Sequence, residues 1–137
     1  MKRRVLFLCT GNSARSQMAE GLLRCPAGDR YDVSSAGTHP VGLNPGAVSA
    51  MQELGIDISA QRSKSMDEFT DQAFDYVVTM CDQAKESCPR WPHAGRLVPW
   101  SFDDPAAATG SPEDRQNAFR AVRDQIKARI EAFITSP

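Results

Sequence analysis

Cys9 and Arg15 stand six residues apart, with Thr10, Gly11, Asn12, Ser13 and Ala14 between them. A thiolate is a strong nucleophile, and a planar guanidinium can grip two oxygens of an anion at once. A loop of small polar residues leading into a helix gathers consecutive backbone N–H groups around one point at the helix's positive end. Such a point binds a tetrahedral oxyanion. The reading is a nucleophilic Cys9 aimed at an oxyanion held by the backbone of residues 10–15 and by the Arg15 side chain. A cysteine followed by an arginine at this spacing is a weak signal alone, although of the four cysteines only Cys9 has such a partner. The bland alternative is a buried strand cysteine before an ordinary turn.

The elements that must position these residues strengthen the signal. Residues 5–8 are a short apolar run of the kind that forms a buried parallel strand. Gly11 and Asn12 tolerate positive φ, and Ser16 opens a helix with Met18, Ala19, Leu22 and Leu23 on one face. A break at residues 26–29 ends that helix, and residues 31–36 read as a second strand closed by Gly37. Asn44 caps a helix with Ala47, Val48, Met51 and Leu54 on one side, closed by Gly55. A short helix at 65–69, a buried strand at 76–80 and a short strand at 96–99 follow. A polar loop at 100–112 contains Asp103, Asp104 and Pro105. The last helix, 113–134, carries Phe119, Val122, Ile126, Ile130 and Phe133 on one face. Strands alternating with helices predict one α/β domain over residues 1–137, a parallel four-stranded sheet with helices on both faces. Ligands of such sheets sit beyond the carboxyl ends of the strands, so Cys9 and Cys81 are expected at one rim.

A chain of 137 residues can bury a core without metal or disulfide help. A net charge of −1 argues against a nucleic-acid surface, and no apolar run approaches membrane-spanning length. The basic start at residues 1–4 precedes too short an apolar stretch for a signal peptide. A cytoplasmic protein is expected, in which four cysteines are reactive or metal-binding rather than structural disulfides. Cys81 and Cys88 are seven residues apart. In a helix that is about 10 Å of rise, whereas a disulfide needs Cα atoms within about 7 Å. A helical segment would have to unwind to join them. Half a zinc site and two unrelated thiols are the blander readings, but His39 and His93 lack ligand-like spacing, and no metal is expected. Three thiols suggest a relay: Cys9 takes the substrate, Cys81 attacks Cys9, Cys88 attacks Cys81, and an external dithiol reduces the product. Cys25 reads as a partly buried or surface thiol, and Trp91 and Trp100 as packing residues.

The stretches CTGNSARSQMAE at 9–20, SSAG at 34–37, VVTMCDQAKESCP at 77–89 and WSFDDPA at 100–106 closely resemble the thioredoxin-coupled arsenate reductases. That family shares the low-molecular-weight tyrosine phosphatase fold, and the resemblance covers essentially the whole chain. It implies that Cys9 attacks arsenate, with phosphate or sulfate as analogues, that Arg15 holds the oxyanion and that Ser16 stabilises the thiolate. It implies further that Cys81 expels arsenite, that Cys88 completes the relay and that thioredoxin supplies electrons to a monomer with no bound cofactor. Asp104 resembles the general acid, leaving Asp103 as a cap or surface charge.

Two departures stand out. Ala14 replaces a further cysteine of many relatives, a thiol the relay does not need. Relatives with a potassium site match Asn12, Glu20 and Ser35 but carry an aspartate where this chain has Lys64. A lysine there would repel a cation and could bind Glu20 itself, so no potassium requirement is expected; the alternative is a Lys64 that points to solvent. The rival functions are a phosphomonoesterase using the same loop, and an oxyanion- or redox-sensing module without turnover. The phosphatase reading lacks a ring to stack on its substrate, since Ala106, Ala107 and Ala108 follow the DP pair; weak phosphatase activity is expected in any case. Glutaredoxin as electron donor is a further variant, disfavoured by the Cys81–Cys88 spacing.

Overall fold

The apolar runs become four parallel strands: β1 (Arg3–Cys9), β2 (Tyr31–Gly37), β3 (Phe74–Thr79) and β4 (Ala94–Pro99), in the order β2-β1-β3-β4. The computed structural model describes residues 2–80 and 94–135, so Cys81, Cys88, Trp91 and His93 lie outside the described residues. Central β1 is buried along residues 5–9, which is why its sequence is continuously apolar rather than alternating. Among the described residues three helices complete the frame: α1 (Arg15–Ala27), α2 (Pro45–Gln52) and α3 (Pro112–Thr135).

The strand period divides the core. Val5, Phe7 and Cys9 face the three helices, together with Met18, Leu23, Met51 and Ile126. Leu6, Leu8 and Val77 face the other way, against Met66 and Phe69 of the 3-10 turn Met66–Phe69. Helical segments therefore cover both faces, unevenly among the described residues. Ile126 and Ile130 of α3 are fully buried, and such side chains stabilise by about 1.5–3 kcal/mol each. Tertiary packing holds this helix more than intrinsic propensity does.

Local details depart from the sequence expectations. α1 continues through Pro26 to Ala27. At a helix's end, proline's missing N–H costs a single bond, so the expected break comes two residues late. Leu54, expected on the buried side of α2, follows its last residue and is exposed. The segment expected as a helix at 65–69 is a 3-10 turn capped by the Ser65 hydroxyl. Arg123 is buried on α3 and donates to the Ala50 carbonyl and to Glu53, tying α3 to α2.

The chain leaves β1 to form β2 on one side and returns to form β3 on the other. This reversal opens a crevice beyond the carboxyl ends of β1 and β3, where ligands of such sheets bind. Cys9 ends β1, and the Met80 amide, directly before Cys81, donates to the Leu8 carbonyl at 2.8 Å.

Candidate active site

The loop after Cys9 is shaped by what holds its carbonyls. Thr10 O accepts from the His39 amide at 2.9 Å, Gly11 O from the Val41 amide at 3.0 Å, and Ser13 O from the Asn44 amide at 3.0 Å. Asn12 O accepts from Gln17 Nε2 at 3.0 Å, and Ala14 O from the Met18 amide at 2.8 Å. In a trans peptide the C=O and the next N–H point in opposite directions. Carbonyls held outward from 10 to 14 thus turn the amides of residues 11–15 toward the centre, a cradle for an oxyanion. Asn12 takes the one positive φ in the loop, at 44°; Gly11, expected to share that role, does not need it.

One buried side-chain network sets the cradle's floor. Asn12 Oδ1 accepts the Lys64 amide at 2.7 Å; because that N–H can only donate, the carboxamide's orientation is fixed. Its Nδ2 then donates to Ser16 Oγ at 2.8 Å and to Ser35 Oγ at 3.0 Å. Ser16, expected to open α1, lies in its first turn, and α1 has no side-chain N-cap. Its hydroxyl lies 2.8 Å from Cys9 Sγ instead. Ser35 donates onward to Glu20 Oε1 at 2.6 Å.

Glu20 is buried among cations. Arg24 lies 2.7 Å and Lys64 3.6 Å from its carboxylate. Lys64 also donates to the Arg62 carbonyl at 2.6 Å. Its side chain turns inward rather than to solvent. Burial pushes the Lys64 ammonium below the usual lysine value, and Glu20 opposes that shift.

Arg15 and Asp104 complete the site. The Arg15 guanidinium is buried, donates to the Phe102 carbonyl at 3.2 Å, and approaches Asp104 Oδ2 at 3.9 Å. Asp104 also accepts the Ala106 amide at 3.0 Å and so caps the turn Pro105–Ala107. Of the two readings of Asp103, cap or surface charge, the second holds: Asp103 is exposed, and the cap is made by Asp104. Pro105 pre-sets the turn's first residue, so the carboxylate at 104 is held on its rim. Cys25 is exposed on the far part of α1, and Trp100 is buried in the core.

Of the residues expected at the site, the loop 10–14, Cys9, Arg15, Ser16 and Asp104 come together, and Cys81 and Cys88 lie outside the described residues. Among the described residues no cluster of His, Cys, Asp or Glu could hold a metal. Two contributors were missed. The local pattern marks Gly37 as a strand end, yet a Cβ there would lie 2.6 Å from Thr10 O and 2.8 Å from Asn12 N. Gln17 braces the loop from below and meets the Arg62 carbonyl at 3.0 Å. A glycine closing the strand beside the nucleophile's strand was the available signal for the first; nothing local marked the second.

The family model described as low molecular weight phosphotyrosine protein phosphatase matches residues 4–136. The arsenate reductase of Halalkalibacterium halodurans is 51% identical over 132 residues, covering 96% of this chain and 95% of that protein. A solved structure of an arsenate reductase in the phosphate binding state matches with a TM-score of 0.83 at 34% identity, covering 98% of each chain. A thioredoxin-dependent arsenate reductase from Corynebacterium glutamicum matches with a TM-score of 0.75 at 28% identity, covering 98% of this chain and 61% of that one.

Proposed function

The chain belongs to the low molecular weight phosphotyrosine protein phosphatase family, and we infer that within it this protein reduces arsenate to arsenite with electrons from thioredoxin. The observation that carries the reading is Cys9 on the floor of an amide-lined cradle with a hydroxyl aimed at its sulfur. Residues 1–137 act as one catalytic domain, a cytoplasmic monomer. Among the described residues no helix is long and apolar enough to cross a membrane.

The reaction begins with arsenate, or phosphate or sulfate as analogues, bound in the loop of residues 10–15 by the amides of residues 11–15 and the Arg15 guanidinium. The Cys9 thiolate, stabilised by Ser16, attacks arsenic, and Asp104 protonates the departing oxygen, which leaves as water. Cys9 then carries a thiol–arsenate adduct. The Cys81 thiolate attacks the Cys9 sulfur; the S–As bond breaks, its electron pair passes to arsenic, and arsenite leaves. Cys88 attacks Cys81, releasing the Cys9 thiolate and forming the Cys81–Cys88 disulfide, which thioredoxin reduces. The residues hold no metal or bound organic cofactor in this scheme. The same cradle also supports transfer of a phosphoryl group to Cys9 and its hydrolysis, a weak phosphatase side activity.

The test is arsenate-dependent NADPH oxidation with thioredoxin and thioredoxin reductase. Turnover that stops when thioredoxin is omitted supports the reading. No arsenate-dependent oxidation with all components present overturns it.

A further inference from the structure

Away from the cradle, four arginines surround a groove that the arsenate chemistry does not use. It lies between the C-terminal part of α3 and the β3–β4 edge, has a volume of about 540 Å³, and is bordered by Arg3, Arg30, Arg96 and Arg129. No acidic residue appears in its described lining. Its walls are rings: Phe133 meets Tyr76 edge-on at 5.1 Å and Trp100 edge-on at 6.3 Å between centroids. The guanidinium of Arg129 lies over the Trp100 ring at 5.5 Å, and Arg3 donates to the Tyr76 hydroxyl at 2.7 Å. Among the described residues, none of the four arginines forms an ion pair with a carboxylate. An adjoining hollow at the start of β1 and β2 adds Lys2, with Asp29 as its one acidic lining residue.

A chain of net charge −1 has here gathered like charges around one concavity. Their mutual repulsion is relieved by an anion, and the low-dielectric walls focus the field into the groove. The volume falls within the range of about 300–1,000 Å³ usual for small-molecule sites. Charge alone would accept any polyanion; the aromatic walls add a face on which a planar ring stacks. We propose that this groove is a second ligand site, separate from the cradle, for a small aromatic polyanion of the nucleotide class. Its ring packs against Phe133, the partly exposed ring of that wall, and its phosphates meet the arginines, whose forked donors match phosphate oxygens.

The probe is adenosine diphosphate, titrated calorimetrically into the reduced full chain with inorganic phosphate saturating the cradle. Adenosine supplies the ring without the charge, and pyrophosphate the charge without the ring. The expected result is binding of adenosine diphosphate at one site, with each half-probe weaker by about tenfold or more. Arg96→Glu and Arg129→Glu should each weaken it by about tenfold while arsenate turnover stays unchanged. Should a reversal impair folding, Arg96→Gln and Arg129→Gln take its place. No binding under phosphate, equal binding of pyrophosphate, or binding untouched by the arginine changes would overturn the proposal.

Discussion

The Ser16 hydroxyl oxygen lies 2.8 Å from Cys9 Sγ and 2.8 Å from Asn12 Nδ2. A carboxamide NH₂ only donates, so Ser16 accepts from Asn12 and its own proton is left for the sulfur. The hydroxyl is therefore a donor aimed at the thiolate form of Cys9. Hydrogen bonds to charged groups contribute about 1.5–3 kcal/mol. Ser16→Ala is expected to slow alkylation of Cys9 by iodoacetamide at neutral pH by about tenfold or more, with arsenate turnover falling in parallel. Peptide mass spectrometry separates Cys9 from the exposed Cys25. Unchanged Cys9 alkylation would remove Ser16 from the nucleophile's activation.

Gly37 gives a structural prediction. A Cβ at that position would lie 2.6 Å from Thr10 O, 2.8 Å from Asn12 N and 3.0 Å from Cys9 O, and all three are backbone atoms. Backbone cannot swing aside as a flexible side chain can, so the loop itself must move. Gly37→Ala should cost about 1–3 kcal/mol of stability in denaturant unfolding. At temperatures where the variant remains folded, its arsenate KM should rise, because the inward amides lose their alignment. A variant with wild-type KM would show that the cradle tolerates the shift.

Lys64 bears on cation dependence. Its ammonium lies 3.6 Å from Glu20 and its amide holds Asn12, so a positive charge already faces the buried carboxylate. Replacing sodium by potassium at constant ionic strength should leave turnover unchanged. Clear stimulation by potassium would defeat the expectation that Lys64 makes the cation unnecessary.

Acid stability is expected to depend on the clamp between α2 and α3. Hydrogen bonds from Arg120, then Arg123, hold the Glu53 carboxyl down at about 2, from an ordinary 4.5. The folded value lies below the unfolded one, so this contribution is present above pH 4.5 and is lost as pH falls toward 2. Glu53→Gln should lower the melting temperature at neutral pH, with the gap to wild type closing as the solution is acidified toward pH 2. A gap that stays constant across that range would mean the carboxylate charge contributes nothing.

What could be read from the sequence follows from how local each signal is. The strand 5–8, the loop from Cys9 to Arg15 and the helix face of Met18, Leu22 and Leu23 depend on neighbours a few residues away, and they fold as their periods dictate. The chain order alone brings Cys9 and the end of β3 to one rim. Harder to read were the roles decided by distant partners. The residues near Ser16 do not say whether its hydroxyl caps α1 or turns to Cys9; the family resemblance points to Cys9, and Asn12, fixed by the amide of Lys64, supplies the physical reason. Which of Asp103 and Asp104 makes the cap depends on a turn of three residues, too short to carry a period. Pro26 sits in the last turn of α1, where it does not break the helix as an interior proline would.

The central claim is a three-thiol relay, and Cys88→Ser tests it most directly. Wild type and variant are compared for arsenate-dependent NADPH oxidation with thioredoxin and its reductase, and for hydrolysis of an aryl phosphate. The account predicts that arsenate turnover disappears in Cys88→Ser while phosphate hydrolysis survives, because the cradle, Cys9, Arg15 and Asp104 are untouched. Arsenate turnover equal in both proteins would contradict the relay and leave Cys88 outside the reaction.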